Sequence, residues 1–165
     1  MLELRRRAYE HPDVTLLVAA VQWEYVQRYG DGDATPVEPA EFAPPHGFFT
    51  VGYVAGTPVA CGGWRPRDAE PGELGEPLRD GDAEIKRMFV LVTHRGRGYA
   101  RAVLGELERT AARAGRRRMV LETGLLQPEA MALYMSAGYS TMAGFGVYRR
   151  SPKSRYFAKP VPRNG

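Results

Sequence analysis

Residues Arg95-Gly96-Arg97-Gly98-Tyr99-Ala100 stand between an apolar run and an amphipathic one, and that setting gives them a chemistry. Glycines let a backbone turn sharply and approach a ligand closely. The first N–H groups of a following helix lack intrahelical acceptors and carry the positive end of the helix dipole. Such a terminus takes an anion, and phosphate is the natural one. Arg95, Arg97 and Arg101 add formal positive charge at the same place. Two phosphate loops are excluded by spelling. GxxxxGK[ST] does not occur. GxGxxG, with an acid about 20 residues on, gives way to Gly96-x-Gly98-x-Ala100, and the residues near position 120 belong to a second strand. For the loop alone, a pair of glycines that only shapes a turn is the competing reading.

The elements that must hold this loop are legible in the periodicity. Residues 3–8 are predicted as a short strand. A helix capped by Asp13 runs to about Tyr29 and stops at Gly30, with Val14, Leu17, Val21 and Tyr25 on one face. Residues 31–46 are Pro-rich and acidic and read as a loop. Phe48–Val54 and Pro58–Arg65 form a hairpin around Ala55-Gly56-Thr57. Residues 66–81 form another loop. Glu84–Val92 is a strand, continuously apolar at its far end as in a strand buried on both faces. After the glycine loop a helix reaches about Ala114, with Ala100, Val103, Leu104, Leu107 and Ala111 as its stripe and Gly115 as its stop. Met119–Thr123 is a strand, Pro128 opens a helix that closes at Gly138, and Tyr139–Ala143 and Tyr156–Lys159 are the final strands. This is a mixed α/β (α+β) order with one parallel strand–helix–strand crossover.

Composition narrows the class. A chain of 165 residues, 44% apolar and 25% charged, reads as one globular domain over 1–165. One cysteine, Cys61, gives no disulfide framework, and three histidines with it give no structural zinc set. The N-terminus lacks the apolar run of a signal peptide and no stretch approaches 18 consecutive apolar residues, so a cytoplasmic protein is expected. Charge is divided: residues 1–83 carry a net −7 and residues 84–165 a net +11. The basic half is suited to a polyanion or a phosphorylated cofactor. The acidic stretch 31–41 is suited to a cationic partner.

Arg95-x-x-Gly98-x-Ala100 also matches the [RQ]-x-x-G-x-[GA] acetyl-CoA motif, and here the chain resembles the GCN5-related N-acetyltransferases (GNAT). The upstream EIKRMFV resembles that family's fourth strand. Leu133-Tyr134 followed by Gly138-Tyr139 resembles its LY…GF helix and turn. The element order agrees over roughly residues 3–160. The resemblance implies a mixed sheet of six to seven strands flanked by helices, splayed between strands 4 and 5. It implies acetyl-CoA as co-substrate, with no metal. The pantetheine arm would lie in the splay against backbone groups of Met88, Phe89 and Val90. Backbone N–H groups from Arg95 through Gly96, Arg97, Gly98, Tyr99, Ala100 and Arg101 would hold the pyrophosphate.

The implied reaction is acyl transfer from a thioester to an amine. An alkyl ammonium has a pKa near 10.4, so a proton must be removed before it can attack. By resemblance, Glu84 is the candidate base, directly or through a water, and a strand-end carboxylate paired with a cation is its competing reading. Tyr134 is the candidate acid toward the leaving sulfur, against a plain aromatic on an apolar helix face with Ala130, Leu133 and Ala137. A backbone N–H near Val90 is the candidate donor to the thioester carbonyl.

Other residues have structural readings. Cys61 is expected as a small buried residue, and Arg5–Arg7 and Arg116–Arg118 as solvated surface. Glu122 and Arg87, on neighbouring strands, can form an ion pair ordering the cleft. Trp23, Trp64 and Phe145 can line an acceptor pocket or simply pack. The leading function is N-acetylation of a primary amine by direct attack in a ternary complex. A non-catalytic acyl-CoA-binding regulatory module is the alternative. Nucleic-acid binding, from the pI near 9.4 and Arg149, Arg150, Lys153, Arg155 and Tyr156, ranks third. Membrane association is not expected. A homodimer through the C-terminal strands is the expectation for assembly.

Overall fold

The apolar patterns resolve into seven strands and three helices in a computed structural model that describes residues 1–68 and 77–162. The strands are β1 (Glu3–Arg6), β2 (Phe48–Val54), β3 (Thr57–Pro66), β4 (Asp82–Val90), β5 (Arg118–Gly124), β6 (Ser140–Thr141) and β7 (Ser154–Pro160). The helices are α1 (Pro12–Tyr29), α2 (Tyr99–Arg113) and α3 (Pro128–Ser136). They build one sheet ordered β1-β2-β3-β4-β5-β7-β6. Every neighbouring pair is antiparallel except β4 and β5, which run parallel. Of the expected loop 66–81, residues 69–76 lie outside the described residues. Among the described residues no helix is long and apolar enough to cross a membrane.

The two faces of the sheet are covered differently. Val103, Leu104, Leu107 and Ala111 of α2, with Tyr134 of α3, pack on Ile85, Val90, Leu121 and Phe157. Val14, Leu17 and Val21 of α1 pack on Phe49, Val51, Cys61 and Phe89 across the sheet, joined by Phe42. Trp64 is fully buried in the first of these cores, its Nε1 donating to Thr110 Oγ1 at 3.0 Å. Trp23, by contrast, is 61% exposed on α1 and lines neither cavity described below.

Several boundaries differ from the sequence expectation. The N-cap of α1 is His11, whose Nδ1 accepts from the Asp13 N–H at 3.1 Å, and Asp13 sits inside the first turn. The imidazole fills the capping role that an Asx side chain usually takes. β4 ends at Val90, because Val92–His94 wind into a 3₁₀ turn. β6 keeps only two residues. Arg118 is not a solvated edge: it grips Asp82 with Nε at 2.8 Å and Nη2 at 2.7 Å, and Asp82 is fully buried. That bidentate pair closes the end where β4 and β5 are still joined. Arg7 likewise donates to the Tyr53 hydroxyl at 3.0 Å and lies over its ring.

Two features of β4 make a cleft. Its parallel ladder with β5 covers only Asp82–Glu84 against Arg118–Val120, and beyond that the strands diverge. On its other side it bulges: Lys86 pairs with Gly63 and Phe89 with Cys61, so Arg87 and Met88 stand together opposite Gly62. Arg87 takes φ of 59°, a left-handed conformation that costs a non-glycine residue about 1–2 kcal/mol. Its carbonyl is held by the Cys61 thiol at 3.2 Å. Bulges re-aim strands in this way near functional sites.

Candidate active site

The divergence of β4 and β5 opens a cavity of about 390 Å³. Its walls include Lys86, Arg87 and Met88 of β4, Leu121, Glu122 and Thr123 of β5, Tyr134 of α3, and Tyr25 and Tyr29 of α1. Leu91 N–H donates to Val59 C=O at 2.9 Å in the β3–β4 ladder. Antiparallel ladders alternate, so Phe89 turns its peptide groups toward Cys61 while Val90 turns its own toward the cleft. The Val90 carbonyl is already taken by Arg95 Nε at 2.8 Å. Its N–H is therefore the backbone donor left facing the divergence.

At the open end of β4 lies the glycine loop. Gly96 and Gly98 have φ of 79° and 80°, and Gly98 is the N-cap of α2 with no side-chain cap. A Cβ at either position would meet nothing within 4 Å, so it is backbone conformation and not crowding that favours glycine there. Among the described residues, no protein acceptor meets the backbone N–H groups of residues 96–101. Consecutive amides without acceptors, at the start of a 15-residue helix, fit the pyrophosphate of an acyl-CoA.

The loop's three arginines do three different things. Arg95 Nη1 and Nη2 form a bidentate pair with Glu24 of α1, both at 3.0 Å, and its guanidinium lies 5.4 Å from the Phe89 ring centroid. Its charge is balanced inside the protein. Arg101 Nη2 donates to Ser136 Oγ of α3 at 2.6 Å. Arg97 is exposed and has no protein partner among the described residues.

The C-terminal end of α1 closes one side of the cleft. Arg28 donates to Leu126 C=O at 2.7 Å and pairs with Glu129 at 2.8 Å. The Tyr29 hydroxyl donates to Gln127 Oε1 at 3.2 Å. A Cβ on Gly124 would come within 1.5 Å of that hydroxyl, so only glycine lets α1 settle here.

The charged groups of the cleft are strongly biased. Asp33, from the loop after α1, accepts from Lys86 Nζ at 2.9 Å and from Arg87 Nη1. Burial alone would raise its carboxyl, but the two cations outweigh that and hold it far below the usual carboxylate range. Glu122 accepts from Ser154 Oγ at 3.0 Å. Burial raises Glu122 above the usual range, and the Lys86 charge and the Ser154 bond offset only part of that. Burial also raises the Tyr134 phenol, so it stays protonated. Among the described residues the Tyr134 hydroxyl has no protein hydrogen-bond partner, while its ring packs 5.6 Å from that of Tyr139. Burial pushes the Cys61 thiol up to about 12, which leaves it a packing residue and not a nucleophile.

Tyr134 and Met88 thus border the cleft, while Val90 and the glycine loop follow Met88 along the chain and are not among its walls. Glu84 does not border it. The Glu84 carboxylate accepts from Arg65 Nε at 2.8 Å, lies 3.8 Å from Arg67 Nε, and borders a second cavity of about 440 Å³ on the α1 side of the sheet. Glu122 borders both cavities, as does Tyr148. The suggested Glu122–Arg87 pair does not form, because Asp33 reaches Arg87 first. Phe145 lines the second cavity. Two of the four carboxylates of the stretch 31–41 are paired within the protein: Asp33 with Lys86 and Arg87, and Glu41 with Arg65 at 3.1 Å.

Asp33→Asn should therefore be costly. It leaves two buried cations without a counter-charge, and breaking a buried pair costs about 3–5 kcal/mol. We expect the lower end, because the cavity admits water, measured as the loss of unfolding free energy in urea. A change below about 1 kcal/mol, the size of a surface pair, would show that the cluster holds little of the fold.

A seven-stranded sheet parted between its two parallel strands, with a phosphate-type loop at the parting, defines an acyl-CoA-dependent acyltransferase. The family model for the acetyltransferase (GNAT) family matches residues 14–139, and the chain belongs to that family. A protein described as an IAA acetyltransferase from Azospirillum brasilense is 34% identical over 113 residues, 68% of this chain and 67% of that protein. A Klebsiella pneumoniae structure described as an acyl-CoA N-acyltransferase superposes with a TM-score of 0.75 at 26% identity, covering 98% of each chain. A GNAT-family acetyltransferase from Staphylococcus aureus Mu50 gives 0.74 at 15% identity, over 98% of this chain and all of that one, a likeness of fold.

Proposed function

We propose that this protein, acting as a single domain, transfers an acetyl group from acetyl-CoA to a primary amine by direct attack. The observation that carries the reading is the cleft itself, with Tyr134 and Glu122 on its walls and the Val90 amide two residues beyond Met88 on β4. The donor's family names support it: one relative is an acetyltransferase and one neighbour an N-acyltransferase. Acetyl-CoA, when bound, supplies the activated acyl group. The amides of residues 96–101 hold its phosphates, with Arg97 adding charge. Met88 and Val90 line the arm with backbone, and Phe89 shapes the strand behind them.

Each remaining step belongs to a named atom. The Val90 N–H points where the acyl oxygen gains charge, the position where a fixed donor is worth most. Glu122 takes the proton from the attacking amine. Glu84, expected in this role, is held by Arg65 away from the cleft, so we assign the base to Glu122 and a supporting place to Glu84. Tyr134 presents its O–H to the leaving sulfur. A phenol raised above its usual 10 does not readily ionise against a thiol near 8.5, so its contribution is a donated hydrogen bond.

Thiol release from acetyl-CoA, measured across alkylamines, amino acids, amino sugars and a lysine peptide, tests this. Release is expected only when protein and an amine are both present. Stabilisation by acetyl-CoA with no turnover on any amine would favour the binding-module alternative. No stabilisation at all would remove acetyl-CoA as the donor.

A further inference from the structure

The second cavity is built around a cation that the protein does not fully use. Arg67, just past β3, borders it and is about three-quarters buried. Its Nε is buried with no hydrogen-bond partner among the described residues. Its nearest carboxylate, Glu84, lies 3.8 Å away and is already bonded to Arg65 at 2.8 Å. Arg149 also lines the cavity, and its Nη1 donates to Gly146 C=O at 3.4 Å. A buried donor without an acceptor is costly, and a bound anion relieves it.

At the other end of the same cavity stands Glu122. It lies two residues beyond Val120, the partner of Glu84. At about 3.3 Å per residue, roughly 7 Å of strand separates it from the level where Arg67 meets Glu84. The cavity thus offers a carboxyl at the cleft and, two strands across the sheet and at a different level, a guanidinium. The same cavity is lined by Glu38, Glu41 and Glu84, of which Glu41 and Glu84 are paired with Arg65.

We infer that the acceptor is an amine that also carries a carboxylate, an amino-acid-type molecule. Its amine meets Glu122 at the cleft, and its carboxylate is held by Arg67 with Arg149 beside it. This rests on the transferase reading above for the amine end only. The carboxylate end is a binding claim with its own readout.

Alanine, phenylalanine, β-alanine and 4-aminobutyrate, each matched with its carboxamide, are the probes. Binding is measured by calorimetry with and without CoA, and turnover by thiol release. The acids are expected to bind at least about tenfold tighter than their amides, the lower end for a charge-assisted hydrogen bond. Arg67→Ala should erase that preference while leaving the KM for acetyl-CoA unchanged, and Arg67→Lys should restore part of it. Acids and amides that bind alike, a preference that survives Arg67→Ala, or no binding by any acid would each overturn the inference. An Arg67-dependent preference for acids without turnover would instead count against the transferase reading and leave the anion site standing.

Discussion

Tyr134→Phe should lower kcat by about 10²-fold and leave the KM for acetyl-CoA nearly unchanged. The substitution removes one oxygen and keeps the ring against Tyr139 and Phe157. General acids contribute about 10²–10⁴-fold. The low end applies because burial raises the phenol, so Tyr134 donates a hydrogen bond and does not surrender its proton. A 10²-fold loss is about 2.7 kcal/mol of transition-state stabilisation. Stability should hold or rise slightly, since the hydroxyl has no protein partner among the described residues to lose. Steady-state kinetics beside thermal unfolding separates the cases. An unchanged kcat would reduce Tyr134 to packing.

Glu122→Gln should lower kcat/KM by about 10²–10³-fold near neutral pH, within the range of a positioned base. Its pH dependence is the sharper signature. The wild-type profile should rise with pH through a group above the ordinary carboxylate range, since burial raises Glu122, and the Gln variant should lack that limb. An amine near 10.4 loses its own proton as pH climbs, so the variant's deficit should shrink toward pH 10. Stability should move the opposite way from activity. A group whose folded pKa is raised favours the folded state while protonated, and that advantage is lost as pH rises through the raised value. A neutral amide removes the neutral-pH penalty, so Glu122→Gln should melt higher than wild type. Glu84→Gln should do the reverse, because it removes one of the two carboxylates that balance buried Arg65. Equal kinetic losses in the two variants, each matched by destabilisation, would remove Glu122 as the base.

What the sequence made legible was whatever repeats locally. The stripe Val103, Leu104, Leu107, Ala111 has a period of 3.6, so α2 could be drawn without knowing its neighbours. The glycine loop and Tyr134 sit at fixed offsets from such elements and came with them. Side-chain partners from distant segments did not. Arg87 looked available to Glu122 because nothing local announces that Asp33, 54 residues upstream, reaches it first. Arg118 looked solvated because Asp82 lies 36 residues away. Arg95 read as a phosphate ligand, yet its fork closes on Glu24, 71 residues back. Glu122 did leave one local mark: in Met119-Val120-Leu121-Glu122 an acid interrupts a strand whose other residues from Met119 onward are all buried. An acid at a position with strand burial periodicity is the cue that could have singled it out.

The bulge at Arg87 acts as a frameshift in three dimensions. Counted on from Gly63 in a regular ladder that keeps every residue, Met88 would face Cys61 and Val90 would face Val59. Val90 would then give its N–H to the neighbouring strand, and the cleft would meet Phe89's peptide instead. The side chains beyond the bulge would change faces too, sending Phe89 into the α2 core and Val90 toward α1. The bulge, anchored by Asp33 and Cys61, thus decides which peptide is offered to a substrate. Straightening this segment with both residues kept would silence the site while leaving most of the sheet able to form.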